Sequence, residues 1–109
     1  MKKTEYIAKG LVYGKLWGGG GGTGAYPSEV VQAKTLKTLE KKILKGIETG
    51  ALDSGMGYEE LIGAIMNITK ITTIEQNGEE YHRKDNELKF YGTLSEKEKN
   101  FLTETFLYI

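Results

Sequence analysis

Asn77-Gly78 restricts the fold more than any other feature of this chain. It separates residues 67–75, rich in Ile and Thr, from residues 79–91, which carry Tyr81, Leu88, Phe90 and Tyr91. Asn followed by Gly accepts the positive φ that both central positions of a type I′ turn require, and the twist of that turn suits two paired strands. An antiparallel hairpin is therefore expected here. Asp85-Asn86-Glu87 weakens the returning strand, and a bulge is expected at that point.

A second hairpin is expected near the start of the chain. Residues 6–17 alternate as a strand does, with Ile7, Leu11, Tyr13 and Trp17 on one face and Ala8, Gly10, Val12, Gly14 and Leu16 on the other. Small residues along one strand face point to close approach by a helix, another backbone or a ligand. Trp17-Gly18-Gly19-Gly20-Gly21-Gly22-Thr23-Gly24 follows and holds six of the 15 glycines. Residues 29–33, with Val30 and Val31, are predicted to pair back across that loop.

Leu36, Leu39, Ile43, Leu44 and Ile47 fall at helical spacing, with Thr35 as N-cap and Gly50 beyond the end. Leu52-Asp53-Ser54-Gly55-Met56-Gly57 is a loop. The apolar stretch 58–66 after it, opened by Glu59-Glu60, is predicted as a short helix. Ser95 and Glu98 form a capping box for a last helix that buries Phe101, Leu102 and Phe106. The order β-β-α-(α)-β-β-α defines an α+β domain, an antiparallel β-sheet of two hairpins with helices packed on one face. At 109 residues, the chain is expected to be one domain over 1–109.

Composition narrows the function. Fifteen Lys and Arg balance fifteen Asp and Glu. A duplex nucleic-acid binder needs a surplus of cations against phosphate, so that class is set aside. The absence of cysteine removes disulfides, thiolate zinc sites and a cysteine nucleophile. No apolar run approaches the roughly 20 residues of a membrane helix. The basic start Met1-Lys2-Lys3 is interrupted by Glu5 and Lys9, so no secretory leader is expected and the location is expected to be cytosolic.

Catalytic material is sparse. His82 is the single histidine and lies in the charged stretch Tyr81-His82-Arg83-Lys84. Ser28, Ser54 and Ser95 do not sit in a nucleophile elbow. Asp53-Ser54-Gly55 offers a carboxylate and a hydroxyl, and equally reads as an Asx turn. The glycine run matches neither a phosphate-binding loop closed by Lys-Ser/Thr nor a dinucleotide fingerprint. Its amides nonetheless suit an anion nest, and the flanking Trp17 and Tyr26 offer faces for a base. Glycine meets an aromatic again in Gly55-Met56-Gly57-Tyr58. Arg83, the single arginine, can grip phosphate bidentately, while Lys15 and Lys89 are further cations whose partners the sequence leaves open. Tyr81, Phe90 and Tyr91 are candidates for stacking, at least one of them belonging to the core. The competing readings are a plain hairpin tip on an interaction module and a small cyclic-nucleotide hydrolase.

Four stretches carry a resemblance. They are Tyr13-Gly14-Lys15-Leu16-Trp17-Gly18-Gly19-Gly20, Gly24-Ala25-Tyr26-Pro27, Leu52-Asp53-Ser54-Gly55-Met56-Gly57-Tyr58-Glu59, and Phe90-Tyr91-Gly92-Thr93-Leu94-Ser95-Glu96-Lys97-Glu98-Lys99-Asn100-Phe101. Together they resemble the phage Thoeris anti-defense proteins of the first described Tad family. The resemblance implies a non-enzymatic, cofactor-free sponge that holds cyclic ADP-ribose isomers without cleaving them. It also implies a second site for cyclic di- or trinucleotides in some members, and a homo-oligomer with pockets shared between subunits in the cytoplasm of an infected bacterium. It places Phe90 and Asn100 in the ADP-ribose pocket and assigns the glycine run, Gly18, Gly19 and Gly20 included, to the oligonucleotide site. The family's pockets use several arginines; this chain has Arg83 alone.

Overall fold

The computed structural model describes residues 2–17, 22–53, 55 and 58–107. Strand β1 (Lys2–Leu16) is followed by β2 (Thr23–Pro27), β3 (Val31–Ala33) and helix α1 (Leu36–Thr49). A 3₁₀ turn (Ala51–Asp53) leads into β4 (Tyr58–Gln76), β5 (Glu79–Gly92) and helix α2 (Glu96–Phe106). All pairings are antiparallel and form one sheet in the order β2-β1-β4-β5, with β3 continuing the β2 edge beside β1. The architecture is α+β, as expected.

The Asn77-Gly78 hairpin is present, with φ of 55° and 80° at its two central residues. Its strands pair one to one from Gln76 with Glu79 to Gly63 with Gly92, so the bulge expected at residues 85–87 is absent. Register shifts fall instead between β1 and β4, at Tyr13/Gly14 and Lys15/Leu16. The first hairpin also differs. The strand returning across the glycine run is β2, which begins seven residues after Leu16, and only Val31–Ala33 of the expected 29–33 strand pairs with β1. Thr23 and Tyr26 have strand-favouring side chains, and Pro27 is tolerated because β2 is an edge.

The larger correction concerns residues 58–66, which form the first half of β4 rather than a helix. Tyr58, Ala64, Met66 and Ile68 face one side and Ile65 the other, which is a strand's period of two. Pairing with β1 on one side and β5 on the other buries the segment, and this tertiary context outweighs the dipole preference of Glu59-Glu60. The small residues of β1 are explained by another backbone: a Cβ on Gly10 would run into the Ile65 carbonyl. That close approach lets the sheet curl.

Both long helices form where their caps place them. Thr35 Oγ1 accepts from the Thr38 amide, and Gly50 ends α1 at φ 76°. The Ser95–Glu98 capping box is closed in both directions. The helices do not share a face, however. Leu39 and Ile43 of α1 pack on Ala8, Val12, Ala64, Met66 and Ile68. Leu102 of α2 packs on Leu11 and Ile65, the alternate residues of the same strands. With apolar residues on both pleat faces of β1 and β4, each face needs its own cover. Leu44 and Phe101, expected inside, are about half exposed, and Phe101 packs edge-on against Tyr13. No helix among the described residues is long and apolar enough to cross a membrane.

Beyond the helices, the ends of β1, β4 and β5 continue as a three-stranded arm. Every residue from Glu79 to Leu88 is exposed, and the molecule extends 60 × 25 × 19 Å.

Candidate functional site

The residues singled out by sequence occupy several places, and the two that the resemblance pairs lie on β5 and α2, elements joined by a short turn. Phe90 lies on β5, the open edge of the sheet, opposite Ile65 and therefore on the α2 face. It is 39% exposed. The Lys99 ammonium of α2 stands 5.7 Å from the centre of its ring, within cation–π reach. Asn100 is the next residue of α2 and is exposed. Lys99 also approaches Glu96 at 3.7 Å. An accessible aromatic face and an ammonium thus meet where β5 turns into α2, and Asn100 is the next residue of that helix. Lys99 was not singled out by sequence; its position one residue before Asn100 was the available signal.

The remaining candidates lie elsewhere. Arg83 is seven residues along β5 from Phe90, roughly 23 Å of extended chain. It faces the α1 side, opposite Thr72, and its guanidinium contacts the Asp85 carboxylate at 3.3 Å. Lys15 is paired with Glu60 and Lys89 with Glu40, each at 3.3 Å. The three cations that sequence left open therefore all have carboxylate partners.

Trp17 is 73% exposed at the end of β1, where the glycine run begins. The ends of that loop are joined by the Leu16 amide donating to the Gly22 carbonyl at 3.0 Å and by the Tyr13 hydroxyl donating to Thr23 Oγ1 at 2.9 Å. Gly18, Gly19 and Gly20 lie outside the described residues. Tyr26 does not stand open as a stacking face; it is half-buried and packs on Tyr58, ring centres 5.7 Å apart. Tyr58 is buried and donates its hydroxyl to the Gly24 carbonyl at 2.7 Å and towards the Val12 carbonyl at 3.2 Å. Burial, with the nearby Tyr26 and Asp53, holds that hydroxyl far above the ordinary tyrosine range.

Asp53 Oδ1 accepts from the Gly55 amide at 2.8 Å, the Asx turn anticipated for this loop. Ser54 lies outside the described residues. Asp53 borders a cavity of about 460 Å³ shared with Glu48, Glu59 and Glu60, a setting that repels phosphate. Of the three stacking candidates on β5, Tyr91 packs against the α1 core and Tyr81 lies on the arm.

A recess missed at the sequence level lies between β1, β3 and the start of α1. It measures about 530 Å³ and is lined by Tyr6, Gln32, Lys34, Thr38 and Lys42, among others. Lys42 donates to the Gln32 carbonyl at 2.8 Å.

His82 Nδ1 is 3.0 Å from Thr73 Oγ1 and its Nε2 is 3.8 Å from Glu80. This group lies on the open face of the arm, where water competes for each contact. Among the described residues, no three His, Asp or Glu side chains gather to hold a metal ion. Comparison with protein-family models, curated proteins and solved structures finds no match.

Proposed function

We propose that this protein captures cyclic ADP-ribose-type immune signals and holds them intact, so that a phage evades the Thoeris effector they would activate. Cyclic di- or trinucleotides are a further ligand class in this reading, served by the glycine run. The observation that carries it is the exposed Phe90 ring with the Lys99 ammonium over it, beside Asn100, the next residue of α2. A flat ring can stack an adenine, the ammonium can meet a phosphate, and the amide can bond ribose or base. This part of the surface is open on one side, which agrees with a pocket completed by a second subunit of a homo-oligomer. Capture needs complementary surface rather than an activated nucleophile. That fits a site whose side chains are an aromatic ring, an ammonium and an amide.

The test combines purified protein with a panel of cyclic ADP-ribose isomers and cyclic oligonucleotides, measures binding calorimetrically, then heats the complex and identifies what is released. Stoichiometric binding and recovery of intact ligand are expected. Phe90→Ala should cost roughly 1–3 kcal/mol of affinity, about 5- to 150-fold, with circular dichroism unchanged as the check that the variant still folds. Failure of every cyclic nucleotide to bind would overturn the reading, as would linear product exceeding one equivalent per chain.

A further inference from the structure

We infer that the recess between β1, β3 and the start of α1 binds a phosphate monoester of a planar alcohol, its flat body lying against Tyr6 and its dianion held by Lys34 and Lys42. This place includes neither Phe90 nor the glycine run, and the inference does not rest on the ligand reading above.

The recess follows from how β3 ends. Tyr6 and Ala33 stand opposite each other on β1 and β3, the last pair of that register. Both pack against the core on the α1 side. A methyl group opposite a tyrosine is too short to cover its ring. Beyond Ala33 the chain leaves the sheet for α1. Among the described residues, no strand continues the β3 row beside Lys2–Glu5 of β1. The space left measures about 530 Å³, within the range that takes a small organic molecule. A planar group laid against Tyr6 completes the packing that Ala33 leaves open.

The polar side of the recess offers donors. Lys42 of α1 donates to the Gln32 carbonyl of β3 at 2.8 Å, which holds the ammonium at the recess and leaves two of its N–H groups for a ligand. Lys34 borders the same space. Among the described residues neither lysine has a carboxylate within ion-pair distance, unlike Arg83, Lys15 and Lys89. Thr35 Oγ1 donates to Thr38 Oγ1 at 2.8 Å, so the Thr38 hydroxyl hydrogen is available to an acceptor. Glu5 also borders the recess, and its carboxylate is paired with Lys3 at 3.3 Å. Two ammonium groups match a phosphate of two charges better than a carboxylate of one. Other recesses are charged differently. Beneath the arm Asp85 and Glu87 outweigh Lys70, and at the far end of α1 the wall is acidic.

Chemical-shift mapping of the nucleotide-free protein with phenyl phosphate tests this. The probe should move the amides of residues 5–7, 32–38 and 42 in a saturable way. Benzoate and inorganic phosphate should bind there more weakly, the first for its single charge and the second for want of a ring. Uncharged phenol should bind more weakly still. Lys34→Ala and, separately, Lys42→Gln should each weaken phenyl phosphate about tenfold with circular dichroism unchanged. Ala33→Leu fills the space beside Tyr6 and should abolish binding. If that variant unfolds, Lys34→Ala carries the test, because Lys34 is exposed and precedes the helix. The inference is overturned if millimolar phenyl phosphate leaves these amides unmoved or moves only residues 90, 99 and 100. Binding as tight by phenol, benzoate or inorganic phosphate overturns it too, as does binding that survives both lysine substitutions. Failure of cyclic ADP-ribose to bind bears on the ligand reading alone, so the two failures are distinguishable.

Discussion

Tyr91 shows how one side chain carries a cost that the rest of the fold absorbs. It packs against the α1 core, yet its hydroxyl is buried without a hydrogen-bond partner among the described residues. Burial, with the Glu40 and Glu87 carboxylates nearby, pushes its pKa up to about 12. The native state then keeps the phenolic proton at pH values where the unfolded chain releases it. This contribution to stability is complete below about pH 10 and is lost as pH rises from 10 towards 12. Tyr91→Phe removes an unsatisfied polar atom while keeping the ring. The variant should be at least as stable at pH 7, with a melting temperature equal to the wild type or a few degrees higher. Its loss of stability should also begin at higher pH than in the wild type. Thermal melts between pH 7 and 11 check both statements. A clear loss of stability at pH 7 would mean that the hydroxyl has a partner.

At the scale of elements, legibility followed local chemistry. Thr35, Gly50, Ser95 with Glu98, and Asn77-Gly78 encode their structure within a few residues, and each cap or turn stands where the sequence put it. Residues 58–66 were misread because their conformation is decided by β1 and β5, partners distant in the chain. The division of the helices between two faces was hidden for a similar reason, since it depends on which parity of β1 each helix covers. At the candidate site, Phe90 and Asn100 were named from a resemblance; the proximity of Lys99 to the ring needed the docking of α2 on the sheet. Tyr58 ties β4 to the first hairpin through its two carbonyl acceptors on β1 and β2. Tyr58→Phe keeps the packing against Tyr26 and leaves both bonds unmade. It should lower unfolding stability by about 1–2 kcal/mol with an unchanged denaturant slope. Unchanged stability in urea would show that the hydroxyl contributes nothing to the tie.

Across the whole molecule, stability is distributed unevenly because the helices cover only part of the sheet. Leu11, Val12, Ala64, Ile65 and Met66 are fully buried between α1 on one side and α2 on the other. The arm has the same strand pairing but no helix over either face, and it ends in the exposed Glu79–Tyr81 edge. Backbone hydrogen bonds without apolar cover open at lower free energy than those inside a core. In native-state hydrogen exchange at low protein concentration, amides of residues 70–76 and 79–87 should exchange as a group well before those of residues 8–13 and 61–68. If arm and body exchanged at the same rate, the sheet would be a single cooperative unit. Its strand pairing alone would then be holding the arm as firmly as two packed helices hold the body.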